Sequence, residues 1–243
     1  MKNSLINRDY IFFPSVSSTN DYALEKMKSG EIKSGTVIVA DHQTSGKGQR
    51  GKSWISAPGE SLMMSIAADL DLWDIKNVVS LNHIVSLAIQ NFLLNFIEDT
   101  RIKWPNDIMV NDKKICGILI ESKVSMTKRH SVVGIGLNLN QESFELNRAT
   151  SFYIETGQKA LPQNFIEPIL QLIEEFIMLY HVKGEDFVLY EYNNQLWKLK
   201  DRHTFKYSLF KREGWINKTT MSGDLVVHFD NEDINFQNGT VIY

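Results

Sequence analysis

Residues Thr44 to Trp54 read TSGKGQRGKSW, with Gly46, Gly48 and Gly51 interleaved with Lys47, Arg50 and Lys52. Glycine lets a backbone approach a ligand closely. Successive backbone N–H groups in such a loop form a concavity that suits an anion. Lysine and arginine add charge, and arginine grips phosphate oxygens in bidentate fashion. No acid falls between Asp41 and Glu60 to offset the three cations. The pattern favours a polyanionic small molecule, although in isolation a solvated surface loop accounts for it about as well. Two nucleotide-loop signatures do not apply: the GxxxxGK[ST] string spelled by Gly46 to Ser53 and the GxGxxG string made by Gly46, Gly48 and Gly51 are followed by no helical pattern.

Other stretches add to this. KWPND, Lys103 to Asp107, places a cation, an indole, a chain-kinking proline, an amide and a carboxylate in succession. Asn106 and Asp107 can bind a sugar, a metal or an amine; taken alone, Asp107 reads better as a cap on the next turn. Lys114 opens an apolar strand, where it can point charge into a cleft or serve as an ordinary edge lysine that discourages aggregation. Asn138 follows GIGL, whose Gly134 and Gly136 leave room for something bulky beside the strand.

The elements that must carry these residues follow from periodicity and punctuation. Ser17, Ser18 and Thr19 cap a short helix that Gly30 stops. GTVIVA (Gly35 to Ala40) and SLMMSIAADL (Ser61 to Leu70) are strands on either side of the basic loop. Val78, Leu81, Val85, Ala88, Phe92 and Phe96 recur at steps of three and four, which predicts a long amphipathic helix over 77–97. His83 falls off the centre of that stripe and reads as solvated or capping. From Arg101 the pattern is strand, kink at Pro105, then a hairpin turning at Asn111-Asp112. SVVGIGLNLN (Ser131 to Asn140) is a further strand. Ile169, Leu170, Ile173, Phe176, Ile177 and Tyr180 define a second helix, with Pro168 marking a start only just upstream. EDFVLYEYNNQLW is helical as well. Beyond about Leu199, turn signals separate short alternating strands, the mark of a small all-β unit that must dock on the larger part to gain a core.

The chain has 243 residues, 43% hydrophobic, with a formal charge of -3 and a pI near 6.1. That suits one sizeable core with a small appendage and weighs against a general nucleic-acid or membrane-surface binder. The single cysteine, Cys116, excludes an intrachain disulfide framework and reads as a buried, inert thiol. The histidines have no metal-ligand spacing. No signal peptide and no segment of about 18 uninterrupted apolar residues is found, so a soluble, cytoplasmic protein is expected.

SSTN (Ser17 to Asn20), ADHQTSGKGQRGKSWIS (Ala40 to Ser56), KWPNDIMVNDKKICGILIE (Lys103 to Glu121) and VVGIGLNLN (Val132 to Asn140) resemble the biotin–protein ligases in sequence and in order. The likeness runs from about Pro14 onward, and the combination of motifs is specific where each alone would be weak. It implies an α+β fold: a mixed-sheet catalytic domain with helices, related to class II aminoacyl-tRNA synthetases, over residues 1–198, and a small C-terminal SH3-like β-barrel over 199–243. SSTN lies within twenty residues of the start, so a type without the N-terminal DNA-binding domain is expected, with no DNA or membrane partner.

The resemblance implies ATP-dependent activation of biotin to biotinyl-5′-AMP, with Mg²⁺, and transfer to a lysine of a biotin carboxyl carrier protein or domain. It leaves homodimer formation open. Ser18, Thr19 and Asn20 would line the biotin pocket, with Gln43, Gly46, Gly117 and Gly134 around it. Lys47, Gly48 and Gln49 would belong to a flexible ligand loop, with Arg50 beside them. Trp54 would close over the adenylate, Lys114 would hold the biotin carboxylate and the α-phosphate, and Asn106 and Asn138 would lie near the nucleotide. Lys114, Lys47 and Asp107 would carry catalysis, Asp107 also as a magnesium ligand or as the group that orients the incoming amine. The family's usual loop is GRGR; here Lys47 keeps the charge without the guanidinium fork, and Gln49 loses a charge that helps to retain the adenylate. The alternatives are a lipoate–protein ligase, whose arginine-rich multi-glycine motif is absent, and a non-catalytic nucleotide-binding protein, which the near-complete motif set opposes.

Overall fold

The computed structural model describes residues 4–8, 10–124, 129–145 and 148–243, with backbone alone at 123 and 124. The reading of residues 1–3 as part of a stretch too polar for a signal peptide lies outside the described residues. Seven strands form the larger sheet: β1 (Tyr10–Phe13), β2 (Val37–Ala40), β3 (Ser61–Asp69), β4 (Thr100–Lys103), β5 (Asp107–Val110), β6 (Lys113–Val124) and β7 (Arg129–Asn138). Their spatial order is β1-β2-β3-β7-β6-β5-β4. The β1–β2 pair is parallel and the others are antiparallel, so the sheet is mixed. Helices α1 (Thr19–Ser29), α2 (Val78–Leu94), α3 (Phe152–Thr156), α4 (Gln163–Lys183) and α5 (Glu185–Asn194) complete this part.

Strand alternation decides which face meets which helix. On β3, Leu62, Met64, Ile66 and Ala68 join the main core with α2 and α4, as do Val133, Ile135 and Leu137 on β7. Ser61, Met63, Ser65 and Ala67 point to the other face. There α1 covers one end, packing Ala23, Leu24 and Met27 on Ile38, Ala67 and Val132. The rest of that face is left to the loop after β2. The α1 start follows the sequence: Ser18 Oγ accepts from Asp21 N, and Gly30 closes the helix at φ 78°. Placing the N-terminus of α1 at Thr19 sets Thr19 and Asn20 against the sheet.

The second sheet is antiparallel, ordered β11-β10-β9-β8, from β8 (His203–Tyr207), β9 (Phe210–Thr219), β10 (Leu225–Phe229) and β11 (Glu232–Phe236). A bridge between Lys206 and Ile242 brings the last residues back beside β8. Trp104 Nε1 donates to Gly223 O at 2.9 Å, which ties this sheet to the KWPND turn.

Two expectations fail. His83 is buried, not solvated, with its ring 4.2 Å from that of Tyr192. Helix α2 lies between the sheet, α4 and α5, so it is covered well beyond one stripe, and burial pushes the imidazole down to about 4. Helix α4 begins at Gln163, leaving Pro168 inside it. Proline there removes one intrahelical donor, which the apolar face buried by Phe165, Ile166, Ile169 and Leu170 outweighs.

Candidate functional site

One rung crosses five strands. Met63 on β3 pairs with Gly136 on β7, Gly136 with Gly117 on β6, Gly117 with Asp107 on β5, and Asp107 with Lys103 on β4. Residues paired across antiparallel strands share a face, so two glycines, a carboxylate and an ammonium stand in line opposite the helical core. The neighbouring rung is Ser65, Gly134 and Leu119.

Lys114 reaches this face through a bulge. The β5–β6 register runs Asp107 with Gly117, Ile108 with Cys116, then Met109 with Lys114. Ile115 is the extra residue and is fully buried in the core. In a regular strand, Lys114, three residues from Gly117, would face the core. The bulge re-aims it, and Lys114 Nζ lies 2.6 Å from Asp107 Oδ1. The main chain of Lys114 pairs instead with Arg148 O and Thr150 N.

The basic loop is an ordered two-stranded finger. Trp54 N donates to Gly46 O at 2.9 Å, Gly48 N donates to Lys52 O at 2.6 Å, and Lys47 bridges Ser53. Its tip turns through Arg50 (φ 58°) and Gly51 (φ 73°), a left-handed pair that glycine eases at the second position. Lys47 Nζ rests 2.6 Å from Asp21 Oδ1, which raises the ammonium's pKa, and both side chains are exposed. Trp54 lies flat on the rung: a Cβ at Gly136 would meet its indole at 2.6 Å, and one at Gly117 would meet it at 3.2 Å. Its Nε1 is buried and has no hydrogen-bond partner among the described residues. The bulky neighbour beside Gly136 is therefore this indole, whereas Gly134 makes room for Asn20.

Finger, sheet and second-sheet tail enclose a cavity of about 460 Å³. One end is a network of hydroxyls and amides. Ser65 Oγ meets Thr19 Oγ1 at 2.7 Å and Asn20 Oδ1 at 2.6 Å. Thr19 N donates to Gln43 Oε1 at 2.8 Å. Asn20 Nδ2 donates to Glu121 Oε2 at 2.8 Å and crowds Gly134, where a Cβ would meet Asn20 Cγ at 2.9 Å. Lys114, Asp107 and Trp54 stand in the middle. Lys103, Val241, Ile242 and Tyr243 line the far end. The tip of the finger touches the tail: Asn238 Nδ2 donates to Gln49 Oε1 at 3.1 Å, and the Arg50 guanidinium donates to Asn238 O.

Most of the residues singled out in the sequence thus border one cavity, among them Ser18, Gly48 and Asn106. Asn106 is committed to structure, its buried amide donating to Ile118 O. Gly46 and Asn138 fall outside the lining. Gly46 is pressed against the main chain of Trp54. Asn138 lies at the Ser61 rung, where its amide donates to Thr150 O at 3.0 Å. Sequence reasoning missed Ser65, Glu121 and the 238–243 tail. Period-two alternation in SLMMS could have placed Ser65; the tail gave no signal.

Among the described residues, no group of three His, Cys, Asp or Glu side chains could hold a metal ion. The Asp107 carboxylate is paired with Lys114. This donor set fits a magnesium ion carried in by phosphates, which needs only one or two protein carboxylates, and not a metal caged by the protein. No described helix is long and apolar enough to cross a membrane.

Known proteins resemble this chain in sequence and in fold. The model of the Biotin/lipoate A/B protein ligase family matches residues 12–138, more than half of the chain. The bifunctional ligase/repressor BirA of Bacillus spizizenii is 31% identical over 76% of this chain, and the chain spans 58% of that protein. The biotin–[acetyl-CoA-carboxylase] ligase of Mycobacterium tuberculosis is 28% identical over 61% of the chain and 56% of its own length. Among solved structures, the biotin protein ligase of Aquifex aeolicus, in complex with biotin and ATP, superposes with a TM-score of 0.80 at 24% identity, over 97% of this chain and 98% of that one. The Leishmania major biotin protein ligase, in complex with biotinyl-5-AMP, gives 0.65 at 22% identity, over 95% and 99%. At these identities the superpositions establish the fold. The chain belongs to the biotin/lipoate A/B protein ligase family. It spans little more than half the length of the curated relatives it matches first.

Proposed function

We propose that this protein activates biotin with ATP to biotinyl-5′-AMP and passes the biotinyl group to a lysine of a biotin carboxyl carrier protein or domain. The observation that carries the reading is the placement of Lys114: a bulge turns it into the cavity between a hydroxyl–amide network and a row of cations. Relatives named as biotin ligases support biotin as the substrate. Residues 1–198 serve as the catalytic part, and 199–243 as an accessory part whose tail helps to wall the site. One buried, reduced cysteine and ATP chemistry suit the cytoplasm.

In the first step a biotin carboxylate oxygen attacks the α-phosphorus and pyrophosphate leaves. Two anions must meet, so Lys114 and Lys47 screen their repulsion and the charge that develops at phosphorus; magnesium enters as part of the nucleotide substrate. Both lysines rest on carboxylates, Asp107 and Asp21, in half-exposed or exposed pairs. Such pairs contribute about 1 kcal/mol or less, so the lysines exchange them readily for a phosphate. Thr19, Asn20 and Gln43, held by Ser65 behind them, supply neutral donors and acceptors suited to a ureido ring. The finger and Trp54 exclude water from the mixed anhydride. In the second step the neutral amine of the acceptor lysine attacks the acyl carbon and AMP leaves. Asp107, freed from Lys114, is placed to take the proton that the amine sheds.

Incubating the protein with biotin and MgATP, with lipoate in a parallel reaction, tests the reading. Mass spectrometry should find biotinyl-AMP and no lipoyl-AMP above background. Lipoyl-AMP alone would move the protein to the lipoate branch of the family; nucleotide binding with no adenylate of either kind would make it a sensor.

A further inference from the structure

The rung that carries Asp107 ends on a cation that the mechanism above leaves idle. Lys103 is the outermost member, on the same face as Asp107 and one strand further from Gly117. Its setting differs from those of Lys114 and Lys47. Among the described residues no Asp or Glu side chain lies within ion-pair distance of it. Its Nζ instead sits 4.7 Å from the ring centre of Trp197 and 5.2 Å from that of Tyr243, with Tyr243 O at 3.5 Å. Aromatic faces hold an ammonium in place without cancelling its charge. Burial lowers the pKa of Lys103, Asp107 opposes this, and Lys198, Lys114 and Lys52 lower it further. The charged side chains that act on it are thus more often cations than anions, and the group borders the cavity.

We propose that Lys103 is a substrate-contacting residue that receives the β- and γ-phosphates of the nucleotide and then the departing pyrophosphate. The inference rests on the adenylation reading above. The argument is one of direction. In-line displacement places the attacking and leaving oxygens on opposite sides of phosphorus. The hydroxyl–amide network lies on the β3 and β7 side of Lys114, so the carboxylate arrives from there. The leaving group then points toward β5 and β4. Lys103 stands one strand spacing beyond Asp107, roughly 5 Å further along the rung, where the outer phosphates must go. As biotin oxygen bonds to the α-phosphorus, the bond to the bridging oxygen breaks and its electron pair leaves with pyrophosphate. Lys103, paired with no Asp or Glu side chain among the described residues, stabilises that departing charge.

The test compares Lys103→Met with Lys103→Arg in two half-reactions and one binding measurement. For Lys103→Met, biotin-dependent ATP–pyrophosphate exchange should fall on the order of 100-fold, the usual loss for one such electrostatic contact. KM for pyrophosphate should rise, while KM for biotin and the rate of transfer from premade biotinyl-AMP should stay within about threefold of wild type. Lys103→Arg should recover exchange to within about tenfold. Magnesium pyrophosphate alone, titrated calorimetrically, should bind wild type and not the Met variant. If thermal melting shows that Met unfolds the protein, Lys103→Gln, which keeps part of the stem on Trp197, replaces it in every arm. Unchanged exchange with unchanged pyrophosphate affinity overturns the assignment. So does an equal loss in transfer from premade biotinyl-AMP, which would make Lys103 a structural group or one acting on the acceptor amine. A wild-type protein that makes no adenylate yet binds pyrophosphate through Lys103 would sink the ligase reading and leave the anion site standing.

Discussion

Replacing Gly136 by alanine tests the idea that the sheet was kept bare for an indole. The backbone of Gly136 lies outside the positive-φ region, so alanine meets no conformational penalty there. Its methyl group would lie 2.6, 2.8 and 3.0 Å from three ring atoms of Trp54, against 3.4–4 Å for ordinary contact. The indole must therefore lift by about 1 Å, and a displacement of that size in a positioned group can cost on the order of 100-fold in rate. That corresponds to about 2.7 kcal/mol of transition-state stabilisation. The fold itself should hardly respond. Trp54 is only partly buried, and removing a glycine from the unfolded chain offsets about 0.4–1 kcal/mol of any strain. The expected pattern is biotinyl-AMP formation down about 100-fold, unfolding free energy within about 1 kcal/mol of wild type, and faster proteolysis in Gly46–Trp54. A Gly136→Ala protein that forms adenylate at the wild-type rate would refute the reasoning, because it would mean the indole does not need its bed on the glycines.

Three further outcomes are expected. Lys114→Met should abolish pyrophosphate exchange, by at least about 1,000-fold, with thermal stability little changed, since the pair it loses is part-exposed; exchange and melting curves measured together check this. Gln49→Arg should restore a cation at the finger tip and slow escape of the adenylate several-fold, an exposed charge pair being worth about 1 kcal/mol or less; the fraction of biotinyl-AMP passing an ultrafilter measures it. Stability should fall on acidification through His83. Its folded pKa, about 4, lies below the ordinary value of 6.5, so the unfolded chain binds the extra proton first. The contribution is fully present above about 6.5 and is lost as pH drops from there toward 4, reaching about 3 kcal/mol. Chemical denaturation at pH 7 and pH 4.5 should show the difference, and His83→Phe should remove most of it.

What could be read from the chain divides along physical lines. Local signals held: the Ser18 cap and Gly30 stop delimit α1, the three-and-four spacing gives α2, and the Asn111-Asp112 turn separates β5 from β6. The charge and glycine content of 44–54 pointed to the cavity wall. Residues whose meaning depends on partners far along the chain were not legible. His83 looked solvated because nothing in its own helix announces that Tyr192, more than a hundred residues later, lies against it. Lys103 looked like one more charge in KWPND because the aromatic faces that hold it come from Trp197 and Tyr243. The finger read as a flexible loop, whereas cross-chain bonds from Gly48 to Lys52 and from Trp54 to Gly46 order it. The orientation of Lys114 hangs on the bulge that absorbs Ile115, an irregularity in a pairing pattern that does not exist until two strands meet.

That extra isoleucine makes the chemistry depend on counting as well as on identity. Many side chains at position 115 could fill the space beneath the sheet and leave the site intact. Flattening the bulge with Ile115 in place would send a charged amine into oil and an aliphatic chain toward the nucleotide, although every letter of the motif stayed the same. Removing Ile115 altogether should leave Lys114 opposite Met109 on the site face and cost the core one aliphatic side chain, while substitutions at the same place are graded by size.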